Sequence, residues 1–215
     1  MKPQVVIVGM GGHAKVIIDI LEQCGELRIA GCTSLENGPQ ELLGYPVLGT
    51  DDRLPYLFSS GVSAAIVAIG DNRLRMDKLC ALKEMGFEPV SAISPDAFVS
   101  PRAMLGRGLS IMPGAIINVA AELKDGVIVN TGATIDHDCS IGECAHIAPG
   151  ASLAGCVTVG AGSLIGIGSR VIPRVTIGPW TTVGAGAVVV DDLESNVTAV
   201  GVPARVIKRG TERGR

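Results

Sequence analysis

The 215-residue chain carries 18 basic and 21 acidic residues, and this near-neutral balance points away from nucleic acid and from anionic membranes as partners. Its length allows one large domain or two small ones, each with a real core. Glycine is abundant, at 29 residues, the aromatics are one Trp, two Tyr and three Phe, and the rest of the apolar content is aliphatic, which suits narrow, regularly stacked structures better than ordinary globules.

The amino-terminal run "MKPQVVIVGMGGHA" has an apolar stretch too short, and too broken by glycine, for a secretory signal. Within it "QVVIVG" reads as a buried strand, and "GHAKVIIDILEQCG" as a helix closed by Gly25. Then follow "LRIAGC" (strand), "YPVLG" (short strand), "DDRLPYLFSSG" (helix), "VSAAIVAIG" (strand) and "DNRLRMDKLCALKEMG" (helix). Alternating strand and helix give a small α/β unit with a parallel sheet over residues 1–90.

Between the first strand and its helix, Gly9, Gly11 and Ala14 match G-x-G-x-x-G/A, whose bare amides at a helix start favour a phosphate. Three readings stay open: a single phosphate or nucleotide diphosphate, NAD, or a structural turn. NAD wants an acid about 20 residues beyond the loop; here "GCTSLENG" offers only Glu36, which is further on. A second loop, "AIGDNRLR", leaves another strand's carboxyl end and faces the same crevice.

From Ile93 the rhythm changes. Every sixth residue is aliphatic: Ile93, Val99, Leu105, Ile111, Ile117, Leu123, Val129, Ile135, Ile141, Ile147, Leu153, Val159, Ile165, Val171, Ile177, Val183 and Val189. Two residues before each, the side chain is usually small, as at Ala115, Ala133, Cys139, Ala145 and Ala151. Neither a helix nor a hairpin has this period, whereas a hexapeptide β-helix does: three hexads make one triangular coil of 18 residues. Residues 91–195 are therefore expected to form about five coils stacked at about 4.8 Å, and 196–215, with "GVPARVIKR", to form a cap or tail. No transmembrane helix is expected, since no run of about 18 apolar residues occurs. Six cysteines without a CxxC read as reduced thiols, and the expected location is the cytoplasm.

An 18-residue coil places His137 beside Gly155, and Asp136 between Asn118 and Ala154. An imidazole next to a backbone without a side chain suits a general base beside an oxyanion donor, with Asp136 or Asp138 fixing its tautomer. The plainer alternative is a surface histidine at a corner with acidic neighbours. His146, nine residues on, falls on a different corner; it reaches the same site only across a subunit boundary, or else is an ordinary surface residue. A zinc hydratase site wants three imidazoles, and Cys139, Cys144 and His146 lack a zinc spacing, so no metal is expected. Trp180, Arg205 and Lys208 read mainly as solvated surface.

Taken in order, "GMGGHA", "AIGDNRLR", "NTGATIDHDCSIGECAHIAPGASLAG" and "GVPARVIK" resemble the bacterial sugar acyltransferases. These are the nucleotide-amino-sugar N-acetyltransferases of the bacillosamine and perosamine type, with the related sialic acid O-acetyltransferases. The resemblance implies a left-handed β-helix, a homotrimer, and acetyl-CoA in the groove between neighbouring β-helices as co-substrate. By the same resemblance, His146, Ala154, Gly155, Gly168, Pro203 and Lys208 lie along the cofactor groove. Gly11, Gly12, His13, Asn72, Arg75 and Asn130 face a nucleotide-linked amino sugar. His137 is then the base, Asp138 its partner and Gly155 the backbone donor, with direct attack of the 4-amino group on the thioester. A covalent route through Cys139 or Cys156, sialic acid O-acetylation and a non-catalytic scaffold are the rivals. Related proteins often carry acids after the second strand, where this chain has "CTSLEN", so UDP, GDP, CMP or no carrier all stay open.

Overall fold

The computed structural model describes residues 2–34 and 39–210, so Glu36 and most of "SLENG" lie outside the described residues. Strand β1 (Gln4–Val8) is buried on both sides from Val5 onward, as a central parallel strand requires. Helix α1 (Gly12–Cys24) turns Ala14, Ile17, Ile18, Ile20 and Leu21 inward. It stops at Gly25, whose φ of 64° lets its N–H reach back to the Leu21 carbonyl. Next come β2 (Arg28–Ser34), β3 (Glu41–Leu42), β4 (Tyr45–Thr50), a 3₁₀ turn at Asp51–Arg53, α2 (Leu54–Ser59), β5 (Ala64–Val67), α3 (Asn72–Glu84) and β6 (Glu88–Pro89). The Asp71 carboxylate caps α3 by accepting from the Leu74 amide at 2.8 Å.

These strands form one sheet in the order β3-β4-β2-β1-β5-β6, parallel except for the β3–β4 hairpin. That hairpin is additional to the expected elements, and its turn holds Leu43 and Gly44 at φ of 51° and 82°. The chain leaves β1 to one side for β2 and returns to the other for β5, so the carboxyl ends of β1 and β5 flank a switch point where such sheets take ligands.

From Ala92 the chain winds into a three-faced prism of two-residue strands. Each strand pairs in parallel with the one 18 residues later, as in the ladder Ile111, Val129, Ile147, Ile165, Val183 along the first face. The second face runs from Phe98–Val99 to Val188–Val189, and the third from Met104–Leu105 to Thr176–Ile177. Periodic aliphatic residues fill the axis together with the small ones, Ala115, Ala133, Ala145 and Ala151 being fully buried. Each such Ile, Leu or Val contributes about 1.5–3 kcal/mol by leaving water. The first coil is the exception: Ile93 and Val99 are only partly buried and Leu105 is 36% exposed.

One residue in six stands in the left-handed region at a corner of the prism, either glycine or a tolerated substitute such as Ala120, Asp138, Cys156 or Arg174. After the last coil, Val197–Val200 and Arg205–Arg209 form an antiparallel pair that extends the first face. The fold is thus a parallel-sheet α/β unit followed by a left-handed parallel β-helix of hexapeptide repeats. Among the described residues, no helix is long and apolar enough to cross a membrane.

Candidate active site

His137 lies in the turn between the strands Thr134–Ile135 and Ser140–Ile141, where the second face meets the third. Asn118, one coil earlier, donates its side-chain amide to Asp136 Oδ1 at 2.8 Å. The same carboxylate oxygen accepts the His137 main-chain N–H at 2.8 Å. These two bonds hold the Asp136 carboxyl below the usual carboxylate range, and they fix the backbone from which the imidazole projects.

Ring orientation comes from the next residue. His137 Nδ1 is 2.7 Å from Asp138 Oδ2, and this hydrogen bond raises the imidazole pKa above its ordinary value. A carboxylate oxygen accepts, so Nδ1 carries the proton and Nε2 is left as an acceptor. Of the two acids left open by the sequence, Asp138 fixes the tautomer and Asp136 the main chain.

Across one coil, Gly155 faces the edge of the ring: a methyl group there would lie 2.5 Å from Cε1 and from Nε2. Glycine here leaves the ring the place it occupies; any side chain would push the imidazole aside. The Gly155 carbonyl accepts from Arg174 N at 3.1 Å, while its own N–H meets no main-chain carbonyl among the described residues. The Nε2 edge of the ring thus stands against backbone that carries no side chain.

Gly11, His13, Asn130 and His146 belong to a second locus. Gly11 caps α1, and nothing lies within 4 Å of where side chains on Gly11 or Gly12 would start. His13, one residue into α1, keeps its Nε2 buried and without a partner among the described residues, and burial, then the Arg75 charge, lower its pKa to about 4. His146 is on the first face of the prism, not at a solvated corner. Burial again, then Arg75 and His13, lower its pKa to about 4, opposed by a hydrogen bond with the Gly70 backbone. Asn130 Nδ2 sits 3.0 Å from His146 Nε2, which makes that nitrogen the acceptor. Two neutral, largely buried imidazoles therefore lie by the loops that follow β1 and β5.

The structure assigns Arg75 and Asn72 differently from the expected sugar contacts. Arg75 is 1% exposed. Its guanidinium donates to the carbonyls of Gly126 (2.9 Å), Ile69 (2.9 Å), Gly70 (3.0 Å) and Cys144 (2.7 Å), and to Asn72 Oδ1 (2.8 Å). All five N–H groups are engaged within the chain, leaving none for a ligand. Asn72 Nδ2 reaches the Gly162 and Ser163 carbonyls at 2.9 and 3.2 Å. Both residues bind the 69–72 loop to the prism. Trp180 is likewise half-buried: it covers Gly162 and carries the Arg73 guanidinium 3.5 Å above its ring.

Of the residues expected along the cofactor groove, Ala154 follows the strand Ser152–Leu153 of the second face, and Gly168 turns the corner before Arg170–Val171 on the same face. Pro203 follows a cis peptide in the turn that docks on Val188, also on the second face. Lys208 is exposed and pairs with Thr198 in the terminal hairpin. Cys139 is buried, donates to the Ala154 carbonyl at 3.2 Å, and has its pKa raised by burial, all unfavourable for an acyl-carrying thiolate. Cys156, named with Cys139 for the rival covalent route, stands exposed beside His137, 18 residues after Asp138 and so one coil above it. A broad hollow of about 1030 Å³ lined by Lys2, Leu21, Arg28 and Tyr45 opens at the other end of the sheet and contains none of these residues.

A sequence profile described as the PglD N-terminal domain matches residues 4–82. Among solved structures, the chain is similar to a mutant of perosamine N-acetyltransferase from Caulobacter crescentus in complex with CoA and GDP-perosamine. Identity is 47% over 95% of this chain and 97% of that one, with a TM-score of 0.93. It is also similar to the acetyltransferase domain of PglB from Neisseria gonorrhoeae FA1090, at 37% identity over 96% and 100% of the two chains and a TM-score of 0.90. WeeI from Acinetobacter baumannii AYE shares the fold, with a TM-score of 0.84 at 23% identity over 96% and 100%. No curated protein matches the chain. With nearly half its residues identical to the Caulobacter enzyme along almost the full length of both, the chain belongs to the bacterial sugar acyltransferases, CoA-dependent enzymes of the perosamine N-acetyltransferase type.

Proposed function

We propose that this enzyme transfers the acetyl group of acetyl-CoA to the 4-amino group of a nucleotide-linked 4-amino-6-deoxy sugar, with GDP-perosamine the first substrate to test. The carrying observation is the His137 ring, its Nδ1–H held by Asp138 and its Nε2 side open to the unadorned backbone at Gly155. His137 takes a proton from the amine as the nitrogen attacks the thioester carbonyl, and the Gly155 N–H steadies the oxyanion until CoA leaves as the thiol. No acyl-enzyme is needed, since holding both reactants in one groove supplies much of the rate. The relatives support the reactants: one is seen with CoA and GDP-perosamine, another with acetyl coenzyme A.

Residues 1–90 serve as the nucleotide-sugar unit, 91–195 as the acyltransferase unit and 196–215 as cap and tail. The sugar nucleotide lies over Gly11, Gly12 and His13 with Asn130 and His146 opposite, and acetyl-CoA runs along the second face by Ala154, Gly155, Gly168 and Pro203 towards Lys208. His137 and the His13–His146 crevice occupy different faces of one chain, which supports a homotrimer whose sites are completed between neighbours. The enzyme works in the cytoplasm. A thiol-release assay with acetyl-CoA and a panel of GDP-, UDP- and CMP-linked amino and hydroxyl sugars tests this reading. Turnover of an amino sugar that His137→Ala abolishes supports it; release confined to hydroxyl acceptors, or unaffected in the variant, refutes it.

A further inference from the structure

We propose that His137, Asp138 and Cys156 form a site for one thiophilic divalent cation, zinc foremost, whose occupancy shuts the acyl-transfer centre. One nitrogen, one carboxylate oxygen and the Cys156 sulfur all lie within 4.8 Å of one another. Their convergence follows from the repeat. Asp138 and Cys156 are 18 residues apart, so they occupy the same corner of successive coils, at φ of 57° and 63°. Cys156 N donates to the His137 carbonyl at 2.9 Å, locking the two coils together at this point. Gly155, having no side chain, leaves the edge of the imidazole unobstructed.

A set of one nitrogen, one oxygen and one sulfur suits zinc and its softer analogues and not magnesium or calcium, which take oxygen. Zinc–ligand bonds of about 2.0–2.3 Å put tetrahedral ligand atoms about 3.3–3.7 Å apart. The separations found here close to that by rotation of side chains that are half exposed at His137 and Asp138. A fourth position stays open to water. Direct attack gives Cys156 no task, so the thiol bears on the metal and not on the chemistry. The block rests on the proposed acetyl transfer, because a bound cation occupies the base or the carboxylate that orients it; the binding itself does not.

The test begins with Co²⁺ titrated into metal-free protein, the sulfur-to-cobalt charge-transfer band reporting a thiolate ligand. Wild type is expected to take up one equivalent with this band, displaced by Zn²⁺. Cys156→Asn keeps a residue at ease in the left-handed region and should lose the band, although Cys24 and Cys80 remain exposed in it. Initial acetyl-transfer rates, followed by loss of thioester absorbance, should fall more than tenfold in micromolar Zn²⁺ and recover with EDTA. The variant, active without metal, should need at least ten times more Zn²⁺. An unchanged cobalt band in Cys156→Asn overturns the site, and undiminished turnover of zinc-loaded wild type overturns the block. Absence of acetyl transfer from metal-free wild type counts against the enzymatic reading alone and leaves the cobalt result standing.

Discussion

Gly155 and His137 meet as backbone against ring edge, so that a single methyl group on Gly155 would sit 2.5 Å from both Cε1 and Nε2 of the imidazole. Relief comes from the ring, because His137 is half exposed while the coil beneath it is hydrogen-bonded on both sides. Gly155→Ala is therefore expected to unfold at nearly the wild-type temperature but to lose about 100-fold in kcat/KM, the usual penalty for displacing a reacting group by about 1 Å. Thermal unfolding together with steady-state kinetics checks both halves; equal activity would mean that the ring works from another position.

The two acids beside His137 should separate in a pH profile. A base must be neutral, so activity falls as pH drops through the His137 pKa, which Asp138 holds above its ordinary value. Asp138→Asn removes that support, moving the acidic limb of kcat/KM to lower pH and reducing the plateau by about 10²-fold or more as the tautomer is lost. Asp136→Asn keeps an acceptor oxygen for the His137 amide, and its limb should shift much less.

Replacing Arg75 by Met should cost about 3–5 kcal/mol, because it strips partners from the buried carbonyls of Gly126 and Cys144 together with those of Ile69 and Gly70. Denaturant titration measures the loss. Hydrogen exchange should place it in residues 1–90 before the prism, whose ladder does not depend on this side chain.

Acid should destabilise the protein before its carboxylates titrate. His13 and His146, lowered to about 4 in the fold, are neutral there at pH 7, whereas in the unfolded chain they protonate near their ordinary value of 6.5. The unfolded state thus binds more protons between those limits, so stability is full above pH 6.5 and drains as pH falls towards 4, by on the order of 2 kcal/mol per imidazole. A double His13→Gln, His146→Gln variant should show a flatter curve of unfolding free energy between pH 7 and 4.5. A curve as steep as wild type would assign the acid lability elsewhere.

What could be read without coordinates was whatever the repeat controls. The period of six put Ile111 to Val189 on the axis, and the coil of 18 set His137 against Gly155 and Asn118 under Asp136. Contacts that join the two halves obey no period. Arg75 lies 51 and 69 residues from the carbonyls it holds in Gly126 and Cys144, and Asn72 lies 90 from Gly162. A loop motif places such residues at the crevice, yet it cannot say that a neighbouring backbone has already taken their hydrogen bonds. The burial of His146 was hidden for the same reason, since it comes from the Gly70 loop and His13 pressing on the first face. The β3–β4 hairpin escaped because Leu43, a residue that rarely accepts positive φ, stands in its turn.

The guanidinium that fastens the 69–72 loop to Gly126 and Cys144 also constrains how such an enzyme can be rebuilt. Recombining this amino-terminal half with a foreign prism succeeds only where the recipient offers main-chain oxygens at those same two corners. Loop tips away from this anchor can be altered in place without meeting that constraint.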